Sequence, residues 1–80
     1  MAVIVYTSPG CPNCVDLKRW LVEHAISWQE RDLSQPGVAA QAKADYGVRV
    51  APITIWQDVV LYGPFEEQRK RLNDLLTHVV

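Results

Sequence analysis

No long hydrophobic run interrupts this 80-residue sequence: none extends beyond the one that closes at Tyr6. That is far short of the ~20 residues a membrane-spanning helix needs. An excess of one charge is also missing. Eight basic residues meet nine acidic ones for a formal net charge of −1, and no block of like charges breaks the mixture. A phosphate-dominated nucleic-acid partner, or a membrane held by charge, is therefore not expected. The opening Met1-Ala2-Val3-Ile4-Val5-Tyr6 lacks the basic start of a secretory leader, which points to a cytoplasmic protein. Cysteine is scarce, with only Cys11 and Cys14. A bridge between such near neighbours closes a tiny loop, worth roughly 2 kcal/mol by chain entropy. It would be a poor staple, so the pair is there for its chemistry.

A closed zinc site needs four ligands, usually a second Cys-x-x-Cys or a closely spaced histidine pair. The two histidines, His24 and His78, are far apart and read as helix-end or solvated residues. No metal or cofactor is expected. What is present is ordinary: 49% hydrophobic and 21% charged residues, as in globular proteins. That excludes a disordered tail, a collagen-like chain and a coiled coil. The length fits one small domain over residues 1–80, with a marginal core.

Val3–Thr7 is β-branched and aromatic and ends at the breaker Ser8-Pro9-Gly10. From Pro12 the pattern is helical, with Val15, Leu17, Leu21, Val22 and Ala25 as its apolar face. Ile26–Asp32 alternates like a half-exposed edge strand. A second helix is expected to open at Ser34-Gln35-Pro36, run to about Tyr46 and close at Gly47. A strand begins at Ile53, turns at Gln57-Asp58 and returns over Val59–Tyr62. After Gly63-Pro64, a last amphipathic helix spans about Phe65 to Leu76, with Leu72, Leu75 and Leu76 on one face. This βαβαββα order gives an α/β fold: a four-stranded mixed sheet with helices on both faces, its first two strands parallel.

A Cys-x-x-Cys that follows a strand and opens a helix reads as a dithiol redox motif. The first N–H groups of a helix have no intrahelical partner and carry partial positive charge. They favour a thiolate at Cys11 and make it the attacking group. Cys14, almost one turn deeper, stays a thiol until it resolves the mixed disulfide. Lys18 lies on roughly the same helical face and supplies charge support to the thiolate, unless it is simply solvated. A different class of function also uses Cys11: an iron–sulfur cluster bridged between two chains, or a redox-regulated binding module.

With Cys11-Pro12-Asn13-Cys14, Val50-Ala51-Pro52 and the post-hairpin Gly63 lined up, the chain resembles the glutaredoxin family of the thioredoxin fold over essentially its whole length. Cys11 to Arg19 also looks like NrdH-redoxins, in which Lys-Arg follows the motif at this spacing. Tyr46-Gly47-Val48-Arg49-Val50-Ala51-Pro52 is similar to the approach of that subgroup. The resemblance implies that Pro52 is cis and sits beside the reactive cysteine. It also implies that the backbone of Ala51 pairs with substrate like an added strand. On the residues alone Pro52 reads as a trans proline opening a strand. Pro12, Ala51, Pro52, Tyr62, Gly63 and Phe65 are thereby the expected substrate-binding residues, with Pro9 and Pro64 extending the apolar surface.

The resemblance further implies a monomeric thiol–disulfide oxidoreductase. Its donor would be thioredoxin reductase or glutathione, and disulfide-bearing proteins, ribonucleotide reductase among them, its acceptors. Glutathione-using members often carry a lysine before the first cysteine, a tyrosine between the cysteines and a Gly-Gly-x-Asp turn. Here the matching stretches are Thr7-Ser8-Pro9-Gly10, Asn13 and Tyr62-Gly63-Pro64-Phe65-Glu66. Positive charge near the motif comes from Lys18, Arg49 and the N-terminus of the last helix. Trp20, Trp28 and Trp56 read as packing residues, and Tyr6 as either a groove or a core residue.

Overall fold

The computed structural model describes residues 3–48 and 50–77, without the side chain of Thr77. Arg49 and His78 lie outside the described residues. Seven elements follow in order: β1 (Val3–Thr7), α1 (Pro12–Glu23), β2 (Trp28–Asp32), α2 (Val38–Tyr46), β3 (Ile53–Trp56), β4 (Val59–Tyr62) and α3 (Phe65–Thr77). The sheet runs β2-β1-β3-β4. β1 and β2 are parallel, with Val5 opposite Glu30, while β3 is antiparallel to both β1 and β4. The parallel pair needs a crossover, which α1 provides. The expected four-stranded mixed sheet, with β2 at its edge, is therefore the observed one.

Strand alternation sorts the core into two layers. Val3, Val5 and Leu61 pack with Leu17, Trp20 and Leu21 of α1 and with Phe65 and Leu72 of α3. Tyr6, Ile53 and Ile55 face the other way, against Ala42 of α2. Tyr6 is thus a core residue, and its hydroxyl accepts a hydrogen bond from Arg31 Nη1 at 3.1 Å.

Three boundaries depart from the sequence reading, each for a local reason. The buried face of α1 is Cys14, Leu17, Trp20 and Leu21. Val15 and Val22 sit about 100° around the helix from Cys14 and Leu21, and both are exposed. Ala25 has left the helix with φ 55°. The N–H of Ile26 bonds Leu21 O at 2.9 Å, closing α1, so β2 begins only at Trp28. α2 begins at Val38, not at Pro36, because Gly37 precedes it at φ 82°, a left-handed conformation no helix interior accepts. Asp32 holds the preceding turn by accepting from Ser34 N at 2.8 Å and Ser34 Oγ at 2.7 Å.

His24 caps the end of α1 as expected, stacked on Trp20 with its Nδ1 donating to Trp20 O at 2.8 Å. Among the described residues no helix is long and apolar enough to cross a membrane.

Candidate functional site

β1 delivers the chain to the turn Ser8-Pro9-Gly10, and Gly10 takes φ 71°, a conformation cheap only for glycine. This turn reverses the chain so that Cys11 arrives as the N-cap of α1, in extended conformation at φ −100°, ψ 103°. Pro12 occupies the first helical turn, where its missing N–H removes no hydrogen bond. The N–H of Cys14 points back at Cys11 Sγ, 3.1 Å away. The sulfur therefore takes the place a capping oxygen holds in other helices. Cys11 and Cys14 are joined as a disulfide, their Cα atoms 5.2 Å apart. Cys14 is 2% exposed, whereas Cys11 remains half-buried. The geometry expected of a helix-capping sulfur with a deeper partner is present.

Beside the disulfide opens a groove of about 490 Å³, walled by the Thr7–Pro12 stretch, Val15, Lys18, Glu30 and Asp32. Lys18 and Glu30 pair across it. Glu30 Oε2 accepts from Thr7 Oγ1 at 2.8 Å and from Lys18 Nζ at 3.1 Å. The Thr7 hydroxyl, with Lys18 behind it, holds the Glu30 carboxyl below its ordinary range, against a smaller opposing push from desolvation. Asp32 is likewise lowered by the Ser34 hydroxyl and backbone N–H. Lys18, expected to support the thiolate, lines this groove together with Cys11. Its ammonium is engaged by the Glu30 carboxylate at 3.1 Å.

A lowered folded-state pKa means that Glu30 contributes stability above the ordinary glutamate range and loses it as pH falls through the lower folded value. Both partners are partly exposed, so the contribution lies within about 1 kcal/mol. Urea unfolding across acid pH checks this: Glu30→Gln is expected to flatten the acid-side loss of stability. Unchanged slopes would mean that the Thr7–Glu30–Lys18 contact does not bind protons differently on folding.

The remaining expected substrate-binding residues lie at the β3–β4–α3 corner, outside the lining of that groove. The Ala51–Pro52 bond is cis, as the family resemblance implied and the residues alone did not. Ala51 is half-buried and Pro52 buried, while Pro12 and Pro64 are exposed. Tyr62 is 61% and Val50 73% exposed. Gly63 turns the chain at φ 101°. Phe65 is more buried than a partner-contact residue needs: its ring packs in the core with Leu17, Leu21 and Leu72 and is 9% exposed. Its backbone N–H donates to Asn13 Oδ1 at 3.0 Å. That bond ties the cysteine motif to the start of α3.

Sequence reasoning missed a second tie. Gln68 is 1% exposed; its Nε2 donates to Pro52 O and Gly63 O, each at 2.9 Å, and its Oε1 accepts from Thr54 Oγ1 at 2.6 Å. The signal was available: Gln68 sits three residues after Phe65 and four before Leu72, a polar residue in the apolar stripe of a helix.

Comparison with known proteins follows the same lines. A family model described as Glutaredoxin matches residues 3–60. The glutaredoxin-like protein NrdH of Lactococcus lactis is 30% identical over 61 residues, covering 76% of this chain and 85% of that protein. The solved structure of NrdH-redoxin from Escherichia coli, a glutaredoxin-like protein described as having a thioredoxin-like activity profile, superposes with a TM-score of 0.73. It is 25% identical, over 90% of this chain and 95% of that one. Glutaredoxin from Brucella melitensis gives a TM-score of 0.68 at 29% identity, covering 95% of this chain and 88% of that one.

Proposed function

Because the chain belongs to the glutaredoxin family, we propose that Cys11 attacks protein disulfides and that Cys14 releases the reduced product. The dithiol pair makes the protein a thiol–disulfide oxidoreductase, and its relatives favour that activity over the cluster-carrying alternative. The observation that supports the assignment of roles is the capping bond from Cys14 N to Cys11 Sγ, together with the deeper burial of Cys14.

In the first step the Cys11 thiolate bonds one substrate sulfur and expels the other as a thiolate. In the second, Cys14 loses its proton and attacks Cys11 Sγ, expelling the second substrate sulfur and leaving the Cys11–Cys14 disulfide. Two electrons pass to the substrate, and its two thiolates take up protons from Cys14 and solvent. An extended substrate segment pairs with the backbone at Ala51, next to Pro52, with Pro12, Tyr62, Gly63, Val50 and Val15 around it.

The donor follows from the charges. Glutathione carries two carboxylates and needs cations or free N–H groups to receive them. Among the described residues the groove offers Glu30 and Asp32, with Lys18 already paired, and the N–H of Phe65 at the start of α3 is taken by Asn13. Two missing charge-assisted contacts, at roughly 1.5–3 kcal/mol each, weaken binding more than tenfold. Exposed Val15, Val50 and Tyr62 suit a broader apolar partner surface. Thioredoxin reductase is therefore the donor, in line with the thioredoxin-like profile described for the Escherichia coli NrdH-redoxin. By the same kinship, ribonucleotide reductase is an acceptor and the cytoplasm the compartment.

Coupled assays with NADPH test this. Thioredoxin reductase is expected to sustain turnover at least about tenfold faster than glutathione with glutathione reductase. Turnover with glutathione and none with thioredoxin reductase would overturn the donor assignment.

A further inference from the structure

Gln68 touches no sulfur, yet it links two backbone segments that flank the substrate position. Its amide is fully used. The Thr54 hydroxyl, donating to Oε1 at 2.6 Å, fixes which end of the amide is oxygen. Both N–H bonds of Nε2 are then free to donate, one to Pro52 O and one to Gly63 O. Thr54 is itself fully buried, and its bond to Gln68 and the bond from Gln68 to Pro52 O are both buried. Among the described residues no buried side-chain nitrogen or oxygen lacks a partner. A side chain that accepts once and donates twice in fixed directions is what two neighbouring carbonyls and one hydroxyl require. An apolar isostere donates nothing, and a carboxylate sets negative charge against two carbonyl oxygens.

Gly63 O and Pro52 O belong to different loops, one after β4 and one before β3. Tyr62 and Gly63 lie on the first, Ala51 and Pro52 on the second. Held by one amide, they keep a fixed spacing, and a pre-set spacing spares a bound segment the ordering it would otherwise impose.

We infer that Gln68 is a positioning residue for protein substrates, setting the Ala51–Pro52 backbone against the Tyr62–Gly63 turn so that an extended disulfide-bearing segment docks between them. The inference rests on the proposed role of Ala51 as the docking strand. It separates docking from chemistry: Cys11 owes its reactivity to the end of α1, which Gln68 does not touch. A small disulfide that needs only Cys11 is indifferent to Gln68, whereas a polypeptide disulfide is not.

The test uses the full chain, pre-reduced, in single turnover, so that no electron donor is involved. Insulin serves as the polypeptide disulfide and bis(2-hydroxyethyl) disulfide as the small one. Gln68→Met is expected to raise the half-saturating insulin concentration about tenfold. Its limiting rate, and its rate with the small disulfide, should stay within about twofold of the parent chain. Thr54→Val, which frees the amide to turn over, is expected to shift insulin binding in the same direction by less. If Gln68→Met does not fold, the split between substrates in Thr54→Val decides alone. Equal losses on both substrates, or no shift on insulin, overturn the positioning role. A parent chain that reduces the small disulfide but not insulin overturns the docking strand itself, and this inference with it.

Discussion

Cys11→Ser is expected to abolish disulfide reduction while leaving the fold as stable as that of the reduced parent chain, and Cys14→Ser to leave a chain that reacts once and stops. Serine at position 11 remains a good helix cap, because its Oγ can accept the N–H of residue 14 that Cys11 Sγ now accepts. Its hydroxyl is not ionised near neutrality and forms no disulfide, so the loss is chemical rather than structural. At position 14 the substitution removes the resolving sulfur but keeps the backbone N–H that faces Cys11. The first exchange therefore proceeds, and the mixed disulfide persists. Thermal unfolding, substrate reduction and mass spectrometry of the trapped adduct check the pair. Residual turnover in Cys11→Ser, or turnover without an adduct in Cys14→Ser, would reverse the assigned roles.

Leu72→Ala is expected to remove a large share of the stability of the fold. Leu72 is fully buried on α3 among Leu17, Leu21 and Phe65, and deleting a buried leucine side chain costs about 2–5 kcal/mol through lost transfer energy and the cavity left behind. A domain of 80 residues has a total stability of only about 4–12 kcal/mol. At about 4–8 °C per kcal/mol for a chain of this size, the melting temperature falls by at least about 8 °C. Val22→Ala is the control, because Val22 is 63% exposed and surface changes stay within about 0.5 kcal/mol. Calorimetry that found the two variants equally destabilised would mean that α1 turns a different face to the sheet.

That pair also marks how far the residues could be read unaided. Strands, turns and the order of elements were legible because Pro9-Gly10, Gly47, Gln57-Asp58 and Gly63-Pro64 punctuate the chain. The redox pair was legible because a Cys-x-x-Cys between a strand and a helix has few other uses. The face of α1 was not, because Val15 and Val22 are as apolar as Leu17 and Leu21, and composition cannot fix a rotation. Helix ends slipped by a residue or two where backbone bonds, such as Ile26 N to Leu21 O, settled them. The burial of Phe65 was not legible, because aromatic rings beside a turn serve either purpose, and only packing against Leu72 decides. The partners of Lys18, Asn13 and Gln68 depend on tertiary proximity: Asn13 meets a backbone 52 residues away. No local pattern encodes that.

The most direct test of the capping claim is the pH dependence of alkylation in the reduced protein, read separately at each cysteine by mass spectrometry. The N-cap position predicts that Cys11 reacts first, with a midpoint below the ordinary thiol value of about 8.5, while Cys14 stays unmodified over the same range. If Cys14 proved the more acidic and more reactive sulfur, the helix end would not be what activates this site.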